Sequence, residues 1–188
     1  MSLEAVMQKV RNVSSDTALS DEEATLLYQS VSEVPLGGIA VEVGAELGRS
    51  SVLIAQVAHE VGFYTLHIDP HTRQEEIAAD WVKNMKAALP EDHVFTALYM
   101  RTDQAEWILK RLAPFDFAYI DGDHEYPGVL CDLVYVADRV TIGGIICCHD
   151  YGRDSLPGVF GAVTEYMKSG KWELIRVAGT MGAWRRAG

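Results

Sequence analysis

Apolar positions along this chain fall into short runs that alternate with stretches of helical spacing. Ile39, Ala40, Val41 and Val43 form one run, broken at Gly44. Phe63, Tyr64, Leu66 and Ile68 form another, ending at Asp69. Short apolar runs bounded by glycine or acid predict buried strands. Strands are predicted at Ile39–Gly44, Phe63–Asp69, Val94–Tyr99, Phe115–Asp121, Ile145–His149, Trp172–Val177 and Met181–Arg185. Helical spacing is predicted over Leu19–Val34, Ser50–Val61, Thr72–Leu89, Asp103–Leu112, Pro127–Arg139 and Pro157–Ser169. Ser20, with Glu23 three residues later, reads as a capping box. Strands alternating with helices predict an α/β fold, a doubly wound and mostly parallel seven-stranded sheet covered on both faces. The last two strands have no helix between them, so they should close the sheet as an antiparallel C-terminal hairpin. Residues 1–35 are expected to form an N-terminal helical cap, and 36–188 one compact domain.

Composition narrows the class. Hydrophobic residues make up 48% of the 188, enough for a packed core and too many for a disordered chain. No apolar run approaches the ~20 residues of a membrane span. The N-terminus, MSLEAVMQKVRNVSSD, is polar and does not read as a secretory leader. Adjacent Cys147 and Cys148 should point to opposite faces of a strand, and with Cys131 the cysteine count is odd. No disulfide framework follows, which fits a reducing cytoplasm. The net charge of −11 argues against nucleic acid as a partner. A homodimer is compatible with the sequence.

The chemistry gathers where the predicted strands end. AVEVGAELGRS (40–50) carries an acid at Glu42, glycines at Gly44 and Gly48, and Ser50 at a helix start. Such a turn lets a ligand approach backbone N–H groups at the positive end of a helix. Its G-x-x-x-G spacing is not the G-x-G-x-x-G of dinucleotide folds. Glu42 would repel a pyrophosphate and suits an ammonium or a hydroxyl. Asp69, at the end of strand two, suits a ribose diol; the alternative is a turn residue before Pro70. Strand four ends in Asp121-Gly122-Asp123-His124 and strand five in His149-Asp150. Ligands of such sheets lie beyond the carboxyl ends of the strands.

AVEVGAELGRS, LHIDP, FDFAYIDGDHEY and GGIICCHDYG together resemble the class I S-adenosylmethionine-dependent methyltransferases. The resemblance is to methyltransferase family 24 and, beyond it, to the metal-dependent catechol O-methyltransferases. It implies a Rossmann-like fold over roughly residues 36 to 186, S-adenosyl-L-methionine as cofactor and a small-molecule acceptor. It also implies roles. Glu42 would meet the methionine ammonium, Gly44 and Gly48 would shape the loop beneath the methionine, and Ser50 would bind its carboxylate. Asp69 would hold the ribose, and Thr102 with Asp103 would lie at the adenine. Asp121 would face the methionine end and, with His149 and Asp150, a divalent metal ion. His124 stands where the catechol enzymes keep a lysine general base.

Departures from that pattern matter. His149 replaces a hard oxygen ligand by imidazole, which suits Zn, Ni, Fe or Mn-like ions better than Mg²⁺. Asp123 is either a further ligand or a helix cap. Methyl transfer to a hydroxyl is the expected reaction, because Asp121, Asp150 and His124 together supply a metal and a base. Two other classes stay open: a metal-dependent hydrolase built on Asp121, Asp123, His149 and Asp150, and a non-catalytic S-adenosylmethionine-binding protein.

Overall fold

The computed structural model describes residues 2–13, 19–71 and 75–188. Strands β1 (Ile39–Val43), β2 (Tyr64–Ile68), β3 (Phe95–Leu98), β4 (Phe115–Ile120), β5 (Val140–Cys148), β6 (Trp172–Ala178) and β7 (Met181–Arg186) form one sheet. Its order is β3-β2-β1-β4-β5-β7-β6. β1 to β5 are parallel, and β7 runs antiparallel to both β5 and β6. The doubly wound, mostly parallel sheet with an antiparallel C-terminal hairpin is as the sequence predicted.

Side-chain alternation sorts the core onto two faces. Ala40, Phe117, Tyr119, Ile145 and Cys147 point to one side. Helices α1 (Leu3–Arg11), α2 (Asp21–Val31), α3 (Arg49–Val61) and α4 (Glu75–Ala88) cover them. Val41, Val43, Leu66, Ile120 and Cys148 point to the other, under α5 (Glu106–Leu112), α6 (Tyr126–Val136) and α7 (Pro157–Met167). The fully buried Leu27, Leu53, Ile54 and Leu133 each contribute about 1.5–3 kcal/mol by leaving water. Lys9 ties α1 down, donating to Gln56 Oε1 and to the Ala88 carbonyl, both at 2.9 Å.

The capping box of α2 is complete: Ser20 Oγ accepts from the Glu23 N–H and Glu23 accepts from the Ser20 N–H. Two differences from the expected boundaries stand out. β5 starts at Val140 rather than Ile145, because Val140 pairs with Phe115 and the glycines absorb a register shift instead of forming a turn. A Cβ on Gly144 would lie 2.8 Å from the Asp116 carbonyl. α5 starts at Glu106, not Asp103, whose carboxylate bonds the Gln104 N–H and Arg101. The expected start of α4 at Thr72 falls outside the described residues.

Strand register aligns the functional ends. Val43 pairs with Ile68 and with Ile120, and Ile120 pairs with Cys148. Gly44, Asp69, Asp121 and His149 are the next residues along and therefore stand level, side by side. None of the described helices is long and apolar enough to cross a membrane.

Candidate active site

The chain leaves β1 through Gly44 at φ +87° and enters α3 through Gly48 at φ +93°. A Cβ on Gly44 would lie 2.0 Å from the Asp121 carbonyl oxygen, so the ends of β1 and β4 approach too closely for any side chain. No side chain caps α3, which leaves the N–H groups of its first turn available to a ligand. Asp69 organises this loop: Oδ2 accepts from the Ala45 and Glu46 N–H groups, each at 2.8 Å, and Oδ1 from His71 N–H at 2.7 Å. Among the described residues, non-glycine residues with positive φ sit at three strand ends: Glu46 (41°), His71 (46°) and Asp150 (55°). Such conformations cost on the order of 1–3 kcal/mol each and concentrate at functional sites.

Glu42 lies below the loop, 1% exposed. Its Oε2 accepts from Ser51 Oγ at 2.5 Å and contacts His67 Nδ1 at 2.6 Å. Trp81 Nε1 donates to Ser51 Oγ at 3.0 Å, and His67 Nε2 lies 3.0 Å from Thr65 Oγ1. Glu42 Oε1 is buried without a partner. Of these residues, sequence alone marks Glu42 and His67, a histidine near the end of an apolar strand.

Acids and imidazoles meet at the ends of β4 and β5. His124 Nε2 lies 3.3 Å from Asp150 Oδ2 and 3.7 Å from Asp121 Oδ1. His149 Nδ1 lies 3.4 Å from Asp121 Oδ1 and 3.5 Å from Asp150 Oδ2. Donor atoms of Asp121, His124 and Asp150 all lie within 4.8 Å of one another. Both ring nitrogens of His149 are buried and without a hydrogen-bond partner. Tyr119 donates to Asp121 Oδ2 at 3.2 Å, and Arg153 reaches Asp150 Oδ1 at 3.3 Å.

A protein-family model described as a methyltransferase domain, family 24, matches residues 41–151, more than half of the chain. The chain belongs to this family. Several solved structures share its fold. The O-methyltransferase NovP superposes with a TM-score of 0.72 at 20% identity, over 93% of this chain and 84% of that one. TomG, an O-methyltransferase from Streptomyces achromogenes solved with S-adenosylmethionine, gives 0.71 at 18%, over 99% and 89%. An O-methyltransferase from Bacillus cereus, solved with S-adenosylhomocysteine, gives 0.71 at 17%, over 98% and 90%.

The remaining sequence candidates of this methyltransferase-domain chain spread along the same rim. Ser50 is buried in the first turn of α3. Thr102 is buried beyond β3, near Asp132, a carboxyl that burial pushes up to about 6. Asp103 is on the surface with Arg101. Asp123 accepts from the Glu125 N–H at 2.8 Å, a turn bond ahead of α6. Glu23, foreseen only as a cap, reaches within 3.7 Å of His149 Nε2.

Electrostatics in the cluster are reciprocal. Asp121 and Asp150 push His124 up to about 9. Burial works against charge on His149, but Asp121, Asp150 and Glu23 outweigh it and push the ring up to about 12. Burial would raise Asp121 and Asp150, yet the two histidines hold both below the usual carboxylate range. A histidine raised on folding stabilises fully below its unfolded value, ~6.5, and loses that contribution as pH climbs through the folded value. Acids lowered on folding stabilise above ~4 and lose it as pH falls. In chelator, the melting temperature should therefore be highest at mildly acidic pH. It should fall between pH 6.5 and 9 by about 4–8 °C, for a loss on the order of 2 kcal/mol. Calorimetric melts in EDTA check this, with a double His124→Gln/His149→Gln variant as the flattened reference. A wild-type curve that is flat or rising over that range would remove the histidine charges from the folding balance.

Proposed function

We propose that this protein transfers the methyl group of S-adenosylmethionine to a hydroxyl of a small molecule, at the carboxyl ends of β1, β2, β4 and β5. One observation carries the reading: in a chain of a methyltransferase family, an uncapped helix start behind a glycine loop stands level with an acid–imidazole cluster. The cofactor fits the residues present. Free N–H groups of α3 suit the methionine carboxylate. Asp69, with lone pairs beyond its three backbone bonds, suits the ribose. The sulfonium is already an activated donor, so the protein's work is positioning and removal of the acceptor proton.

A divalent ion also fits. Asp121 and Asp150 would hold it with His149 Nδ1, which makes no hydrogen bond, and His124 is within reach of the same carboxylates. When bound, such an ion lowers the pKa of a hydroxyl. The residues themselves do the rest. Asp121 and Asp150 orient the His124 ring, and His124 takes the proton of the acceptor. Tyr119 fixes Asp121 from inside the sheet. The family supports methyl transfer over hydrolysis, since a hydrolase needs neither the glycine loop nor Asp69.

Calorimetry with S-adenosylhomocysteine, followed by a screen of catechols, phenols and sugar hydroxyls, tests the reading. Asp69→Ala removes the charged acceptor and loosens three backbone bonds. It should weaken S-adenosylhomocysteine binding roughly 10- to 150-fold. Wild-type affinity in a folded Asp69→Ala variant would defeat the ribose assignment, and no binding by the wild type would defeat the whole reading.

A further inference from the structure

Glu23 lies in the first turn of α2, far in sequence from the strand ends, yet its side chain is buried. Four hydrogen bonds hold its carboxylate. Oε2 accepts from Ser20 N–H and from Ser20 Oγ, and Oε1 from Thr180 N–H and Thr180 Oγ1, each at 2.8 Å. Gly179, at φ +57°, leaves room: a Cβ there would lie 2.7 Å from Glu23 Oε1. A capping box needs only the Ser20 bonds. The Thr180 bonds exceed that need and lock the second oxygen to the turn between β6 and β7. A carboxylate tethered at both oxygens cannot swing. Its Oε2 stays 3.7 Å from His149 Nε2, on the side of the ring opposite Asp121 and Asp150.

We infer that Glu23 is a positioning residue: it fixes the rotation of the His149 ring, so that Nδ1 faces the Asp121–Asp150 mouth, and it makes α2 a wall of the site. The consequence for turnover rests on the methyltransferase reading; the orientation of the ring does not. Carboxylates that orient an imidazole from behind are worth about 10- to 100-fold in metal affinity or activity.

Two variants separate positioning from folding. Glu23→Gln keeps the shape but turns one oxygen into a donor, losing the charge and one backbone N–H tether. Ser20→Ala weakens the cap of the same helix and leaves the Thr180 tethers. Both should lower the melting temperature. Only Glu23→Gln should move the ¹⁵N signals of the His149 ring and weaken Mn²⁺ binding, by about 10- to 100-fold in calorimetry. In turnover it should lower kcat and leave KM for S-adenosylmethionine unchanged. His149 signals that stay put in Glu23→Gln, or that move as far in Ser20→Ala, would overturn the inference. A wild-type protein that neither binds S-adenosylhomocysteine nor transfers a methyl group defeats the functional reading instead, while the ring signals still decide about Glu23.

Discussion

His124→Gln lowers turnover on a hydroxyl acceptor by about 10²–10⁴-fold, the range a positioned base contributes, and leaves S-adenosylhomocysteine affinity nearly unchanged. The ring stands at the mouth of the β4 end, 35% exposed in its side chain, 3.3 Å from Asp150 and 3.7 Å from Asp121. A lower kcat without a change in cofactor binding marks an interaction made in the transition state. The pH profile carries a second signature. Asp121 and Asp150 push His124 up to about 9, so the free ring carries a proton at neutral pH. A base must lose that proton first, and kcat/KM should rise with pH towards about 9 rather than level off near the ordinary histidine value. That limb should vanish in His124→Gln. Wild-type turnover in the variant would take His124 out of the proton's path. A parallel Mn²⁺ titration tells a ligand from a base: a tenfold or greater loss of Mn²⁺ affinity in His124→Gln would make the ring a ligand.

Much of this was legible in the residues. Apolar runs marked the inner strands β1, β2 and β4, because strands buried on both faces leave no alternation to blur the signal. Gly44, Asp69, Asp121, His124, His149 and Asp150 stood out as residues that such strands do not need, and strand register brings their ends level. Other features could not be read. β5 starts early because Gly144 accommodates a bulge beside Asp116, a long-range fit that looks like a turn in one dimension. Glu23 looked complete as a cap, so nothing suggested that its other oxygen reaches Thr180. Asp69 showed its acid but not its three backbone bonds, which depend on how the loop folds back. Spacing placed Glu42 at the mouth, whereas alternation along β1 turns its side chain under the loop, onto the face shared with Ala40, Phe117 and Tyr119.

That burial sets the largest stability effect expected outside the glycine loop. Glu42 and His67 meet at 2.6 Å with side chains 0% and 1% exposed. Removing one member leaves the other polar group buried, with Ser51 or Thr65 as its remaining partner. Breaking a buried pair in this way costs about 3–5 kcal/mol. At about 2–4 °C per kcal/mol for a chain of this size, His67→Ala should melt roughly 6–20 °C below wild type. Replacing both members by apolar residues of similar volume is often nearly neutral. A Glu42→Met/His67→Leu double variant should therefore recover most of the loss, a coupling that a double-mutant cycle reads directly. The double variant also separates the two roles open to Glu42. If the carboxylate meets the methionine ammonium, restored stability comes with S-adenosylhomocysteine affinity still reduced by tenfold or more, the loss of a hydrogen bond to a charged group. If affinity returns with stability, Glu42 serves the loop from below and leaves the ammonium to other groups. A double variant no more stable than His67→Ala would show that the pair is not what holds this part of the core.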